Sequence, residues 1–324
     1  MKEFRKCVTN KLWLLIVSCG VLGLFIFHGE RKNPFSISEN TVYGETRRVL
    51  QDRRNVLKKE CSQISTKQNL QGRFFPNSVT ISEQDGIAWC RIGKVGTHAW
   101  SALFLLLRGV KVPEIKDAIK ELKTHNLMKK FYALNPKKKI KYLRERDLFK
   151  FIVVRHPFQR LVSGYRDKLE NSSEYNMRYR DEAASMVDNI TRSGEQNPTF
   201  SEFVDYLIKT DSSVMDKHWA PYSEVCLPCS VNYDAVIKLE TLSQDSRWIF
   251  HQLNLTTRRQ DWEKVTGTDG LGVHVGPGGR GIKQTSNLAI EYFKTISKDK
   301  ILKLYKKYEL DFRLFDYSLS EFFK

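Results

Sequence analysis

The sequence predicts an α/β fold of three layers, with a central parallel sheet and P-loop-like phosphate-binding turns, behind an N-terminal transmembrane helix. Two segments carry the fold class: Gly86 to Arg108, and Phe151 to Lys168 (FIVVRHPFQRLVSGYRDK), each reading as strand, tight turn and helix. The apolar stretch Leu12 to Phe27 (LWLLIVSCGVLGLFIF) carries the membrane helix.

At the amino end, residues 1–11 hold Lys2, Arg5, Lys6 and Lys11 and read as a cytoplasmic tail, because positive charge before a lone apolar segment keeps that end in the cytoplasm. Residues 12–28 read as a signal anchor. They are short against the roughly 20 residues of a full span, but thinner early secretory membranes accept that length. A cleaved signal peptide is the second reading, and no small-x-small cleavage site supports it. Residues 29–75 are polar and charge-rich and read as a lumenal stem. Residues 76–324 read as one large domain, for which the chain's 41% hydrophobic content supplies a core.

In that domain Gly86 to Ile92 (GIAWCRI) is the first expected strand, Gly93 to Thr97 a tight turn, and His98 to Arg108 a buried helix, apolar on nearly every face. Gly93 and Gly96 let backbone N–H groups approach an anion, Lys94 adds positive charge, and Thr97 offers a hydroxyl at the helix start. GKVGT lacks the Lys-Ser/Thr pair of the nucleotide-hydrolysing loop, so an ATPase or GTPase reading loses support.

The β-branched run Phe151 to Val154 is the next strand and ends on Arg155. Pro157 suits a first helical turn. Phe158, Leu161, Val162, Tyr165 and Leu169 then form one apolar stripe, leaving Ser163 toward a groove. A guanidinium beside unpaired helix N–H groups is a phosphate seat. Further on, Val231 to Lys238 reads as a strand and Thr241 to Leu253 as a helix. Gly267 to Gly281 reads as a surface loop, with a flexible lid as the second reading, Leu288 to Ile296 and Lys298 to Glu309 as helices, and the aromatic carboxyl end as packed on the core.

Four blocks resemble a known family: KVG..W (Lys94, Val95, Gly96, Trp100), VRHPFQRLVSGYRDK, HW followed by CLPC (His218, Trp219, Cys226, Cys229) and YDAVIKLETL, and LDFRLFDYS. In that order they are similar to the Golgi carbohydrate sulfotransferases, in the branch of chondroitin, dermatan and HNK-1 sulfotransferases. The resemblance implies transfer of a sulfuryl group from 3′-phosphoadenylyl sulfate to a sugar hydroxyl on a chondroitin- or dermatan-type chain, without a metal. It implies that Gly93, Lys94, Val95, Gly96, Thr97 and His98 hold the 5′-phosphosulfate, that Arg155 and Ser163 hold the 3′-phosphate, and that Arg280 touches the donor.

Sulfuryl transfer needs an in-line hydroxyl and stabilisation of the leaving oxygen. Lys94 is the candidate for the second task. For the base, histidine is the side chain poised near neutral pH. His125, between the two donor motifs, is placed first, and His218 second. Departures from the family pattern (Gly93, Thr97, His98, Ala99 and His156 stand for proline, cysteine, threonine, asparagine and an acidic residue) open an alternative, a catalytically impaired glycan-binding paralogue of the same fold.

The implied location is the Golgi membrane, single-pass type II, with the catalytic domain lumenal. Asn171, Asn189 and Asn254 begin N-x-[ST] sequons. Cys61, Cys90, Cys226 and Cys229 allow three pairings into two disulfides. The lone CxxC, without a second one or a histidine cluster, reads as structural rather than a zinc site. Lys and Arg number 54 against 37 Asp and Glu, a net charge of +17, and the runs Lys129-Lys130 and Lys137 to Lys141 would draw a polyanion. No nucleic-acid motif is visible and a lumenal protein does not meet nucleic acid. An anionic glycan, the glycosaminoglycan chain of a proteoglycan, fits both charge and compartment.

Overall fold

The computed structural model describes residues 39–64, 72–121, 123–170, 197–266 and 282–323. The tail, the signal anchor, Asn171, Asn189, Arg280 and the glycine-rich stretch 267–281 lie outside them. Among the described residues no helix is long and apolar enough to cross a membrane. Tyr43–Lys324 form one compact unit.

The sheet of this unit has four strands in the order β1 (Val79–Ser82), β2 (Ile87–Cys90), β3 (Phe149–Val154) and β4 (Ala235–Lys238). The pairs β2–β3 and β3–β4 are parallel, with Cys90 opposite Ile152 and Val154 opposite Lys238. The pair β1–β2 is antiparallel, so the sheet is mixed rather than wholly parallel as expected. The reason is local. Residues 83–86 alone join β1 to β2, Gly86 turning at φ 64°, whereas a parallel crossover takes a dozen residues or more. Every residue of β1 and β2 is buried. Since successive side chains point to opposite faces, both faces are covered.

After β2, α2 (Thr97–Leu107) runs through the core, with Trp100 against Phe151 and Trp262. Between α2 and β3 come α3 (Val112–Lys120), α4 (Thr124–Tyr132) and α5 (Pro136–Glu145). After β3, α6 (Pro157–Tyr165) starts at once and continues as a π-helical turn, Arg166–Glu170. Next in the chain are α7 (Phe200–Lys209), α8 (Tyr222–Cys226), α9 (Leu242–Gln252), α10 (Thr256–Thr266), α11 (Ile282–Lys294) and α12 (Lys298–Leu314). Trp262 Nε1 of α10 donates to the Ala99 carbonyl of α2 at 2.6 Å. The carboxyl end packs as expected, Phe322 joining Phe158, Phe293 and His156 in one aromatic cluster.

The polar segment read as a stem holds α1 (Glu39–Ser62), which belongs to this unit from Tyr43 onward. Leu50 and Leu57, seven residues and two helical turns apart, enter the core. Arg53 pairs with Asp245 at 2.6 Å and Arg54 with Asp234 at 3.1 Å. Two apolar anchors in a highly charged stretch carry too little compositional signal to be read as a packed helix. The disulfides are Cys61–Cys229 and Cys90–Cys226, so one of the three pairings is realised and the CxxC cysteines bond to different partners.

Candidate active site

The turn after β2 is built by backbone conformation. Lys94 has φ 72° and Gly96 φ 78°, both left-handed, while the Val95 side chain is buried and pins the turn between them. Alternation of this kind gathers backbone N–H groups into an anion-binding nest. Thr97 Oγ1 donates to the Ile92 carbonyl at 2.5 Å, closing the turn from inside. Gly93 offers its carbonyl to Arg160 Nε at 3.2 Å. The same buried guanidinium donates to the Ala220 and Lys217 carbonyls at 2.8 and 2.9 Å, joining this turn to the segment that carries His218.

His218 lies against the turn so closely that a Cβ on Gly93 would stand 3.0 Å from its Cδ2. Its Nδ1 is 2.5 Å from Asp216 Oδ1. A carboxylate there accepts a hydrogen bond from Nδ1–H and leaves the lone pair on Nε2. Burial pushes the His218 pKa down and Asp216 opposes, with a net lowering. His98, next to the turn, is also lowered, by burial and then by Lys94.

Lys94 Nζ pairs with Asp167 Oδ2 at 3.1 Å, and Asp167 meets Lys168 at 3.0 Å. The π-helical turn that lengthens α6 supplies both residues; such turns recur at functional sites. Burial lowers the Lys94 pKa against the pull of Asp167, and Arg155 is near enough to lower it further.

Arg155, at the carboxyl end of β3, is 4% exposed. Its backbone N–H donates to Tyr222 Oη at 2.9 Å, and that hydroxyl donates to the Arg155 carbonyl at 3.1 Å. Among the described residues its Nε is buried without a partner, as is Gln159 Oε1 one turn into α6. Ser163 lies half-buried on the same helix. A buried guanidinium with an unmatched donor is poised for an anion. The left-handed turn and this orphaned Nε fit a donor carrying phosphate at two ends.

The structure thus gathers Lys94, His98, Arg155 and His218. His125 is outside this group, beside the turn, on the first turn of α4, with Nδ1 3.0 Å from Arg91 Nη1. Asn254 is exposed, at φ 54°. Sequence reasoning missed Asp216, Asp167 and Arg160. The signal for Asp216 was its position two residues before His218. Glu240 accepts from the His156 N–H at 2.7 Å and from Tyr317 Oη at 2.9 Å. Among the described residues no three His, Cys, Asp or Glu side chains are grouped to hold a metal ion.

Residues 77–318, which hold this whole arrangement, match the family model described as the sulfotransferase family. The chain belongs to the sulfotransferase family. This sulfotransferase is 28% identical over 265 residues to carbohydrate sulfotransferase 10 of Gallus gallus, covering 77% of this chain and 69% of that protein. It is 28% identical over 268 residues to carbohydrate sulfotransferase 10 of Homo sapiens, with the same coverage. It is 27% identical over 295 residues to carbohydrate sulfotransferase 11 of Rattus norvegicus, covering 85% of this chain and 77% of that protein. No solved structure matches it. The family and the enzyme class expected from the sequence blocks are borne out.

Proposed function

We propose that this sulfotransferase moves a sulfuryl group from 3′-phosphoadenylyl sulfate to a hydroxyl of a chondroitin- or dermatan-type glycosaminoglycan. The observation that carries the reading is the left-handed turn at Lys94 beside Arg155, whose buried Nε has no partner among the described residues. Backbone N–H groups of residues 93–97 and the Lys94 ammonium bind the 5′-phosphosulfate, while Arg155 and Ser163 bind the 3′-phosphate. Thr97 serves this site by closing the turn through Ile92.

His218, rather than His125, is the base, because it lies against the Gly93 turn and Asp216 fixes its tautomer. Its Nε2 takes the acceptor hydroxyl's proton, and Asp216 stabilises the imidazolium that results. Lys94 stabilises charge developing on the leaving phosphate oxygen. Both disulfides support an oxidising compartment. With the amino-terminal apolar stretch, they support a type II Golgi protein with a lumenal domain; the exposed Asn254 sequon is open to glycosylation there.

The test is transfer of labelled sulfate by the full chain to chondroitin, dermatan, desulfated heparan and N-glycan acceptors, with Lys94→Ala and Arg155→Ala alongside. Transfer to chondroitin or dermatan that both substitutions abolish is the expected result. Folded protein that binds glycan without transferring sulfate overturns it in favour of a non-catalytic glycan binder.

A further inference from the structure

A second group of cations flanks the donor turn, on the β1 side of the sheet. Arg91 follows β2 and precedes Gly93 by two residues. Its Nη1 lies 3.0 Å from Nδ1 of His125, on the first turn of α4. Lys139, on α5, is 7% exposed, and its Nζ reaches the Asn77 carbonyl at 3.4 Å, long for a charge-assisted bond. Asn77 adjoins Ser78, whose carbonyl accepts from the Arg91 N–H at 2.7 Å, so Lys139 and Arg91 meet at the same end of the β1–β2 pair.

Among the described residues neither Arg91 nor Lys139 has an ion-pair partner. Burial, then the charge of Arg91, pushes Lys139 down to about 8. A buried cation repelled by a half-buried neighbour is unfavourable unless an anion joins them. The donor reading uses neither, since its cations are Lys94 and Arg155.

We propose that Arg91 and Lys139, with His125 at their edge, form a subsite for an anionic substituent of the acceptor glycan, a carboxylate or a sulfate ester, beside the sugar being modified. The position suits that role: the subsite adjoins the transfer turn through Ile92 alone, and three separate elements converge on it. This rests on the glycan-acceptor reading above and names what part of the acceptor is recognised.

The experiment measures acceptor KM for Arg91→Gln and Lys139→Met on four oligosaccharides: chondroitin sulfate, its desulfated form, its carboxyl-reduced form, and the neutral form lacking both groups. Each substitution is expected to raise KM about tenfold for acceptors bearing the recognised anion. For the neutral acceptor and for the donor's Kd, changes should stay within about twofold, and Lys139→Arg should restore KM on the charged acceptors. The desulfated and carboxyl-reduced arms tell carboxylate from sulfate. Equal effects on charged and neutral acceptors, or none on either, overturn the subsite. If the unsubstituted enzyme transfers sulfate to none of the four, the acceptor reading fails instead, and calorimetric binding of the same oligosaccharides with 3′-phosphoadenosine 5′-phosphate present decides the subsite by the same comparison.

Discussion

Lys94 Nζ sits 3.1 Å from Asp167 Oδ2, which sets a carboxylate beside the cation assigned to the leaving phosphate. Asp167 does two opposed things. It holds Lys94 protonated against burial, and it repels an arriving anion. A bound phosphate takes over the first task, since its own charge favours the ammonium, so nucleotide binding reads the second. Asp167→Asn should therefore tighten 3′-phosphoadenosine 5′-phosphate about threefold by calorimetry. By the same sign it should move the basic limb of the pH–rate profile to lower pH. Weaker nucleotide binding in this variant would show that Asp167 positions Lys94 instead of opposing the donor. Lys94→Ala should lower kcat by about 10²-fold or more.

His218 and Asp216 predict the acid limb. The His218 pKa lies below its ordinary 6.5 because burial outweighs Asp216. The acid limb of kcat/KM, where Nε2 is protonated, should therefore have its midpoint below pH 6.5. Removing Asp216 removes a group that raises this pKa, so in Asp216→Asn the limb should shift further down while kcat drops by about 10²-fold. A limb that stays in place when Asp216 is changed, or one that tracks His125→Gln, assigns the base to another residue.

What was legible in the sequence depends on how local each signal is. Both strand-turn-helix units could be read because Gly93, Gly96 and Pro157 punctuate short apolar runs within a few residues. The partnership of Arg160 with the Gly93, Lys217 and Ala220 carbonyls was not legible, because it joins segments some 60 residues apart through backbone groups that every sequence has. The choice between His125 and His218 was lost for the same reason. Proximity to the donor turn comes from the return of residues 216–220 to the sheet, not from sequence order. The antiparallel edge strand was missed because Val79–Ser82 precedes the segments that resemble the family, and its four residues are all buried, without alternation.

Gly93 separates contact from donor binding. Its backbone needs no left-handed conformation, so an added methyl causes no torsional strain; what it meets is His218 Cδ2 at 3.0 Å. That imidazole is anchored through Nδ1 to Asp216, so it can yield only by weakening the bond that sets its tautomer. Gly93→Ala should reduce kcat about tenfold while donor Kd changes less than threefold. Equal losses in both would mean that the methyl distorts the turn itself.

His156 makes acid stability a test of the carboxyl-terminal packing. It is 5% exposed, its Nδ1 accepts from the Phe158 N–H at 3.2 Å, and its Nε2–H donates to the Ser318 carbonyl at 2.9 Å. Both ring nitrogens are thus used by the neutral form. Burial pushes its pKa to about 4, so its 3.7 Å approach to Glu321 is not an ion pair at neutral pH. Between about 4 and the unfolded value of about 6.5 the folded protein binds fewer protons, so stability is whole above 6.5 and drains as pH falls through that window. From pH 7 to 5 this one residue should remove about 2 kcal/mol of unfolding free energy. His98 and His218, also lowered, add losses of the same sign. Urea unfolding of His156→Gln isolates the share of His156. The variant should be less stable at pH 7, where packing and two hydrogen bonds are lost, yet lose about 2 kcal/mol less than the unsubstituted chain on going to pH 5. Parallel pH dependences for the two proteins would mean that the carboxyl end lets water reach the imidazole, and that the aromatic cluster of Phe158, Phe312 and Phe322 does not seal it.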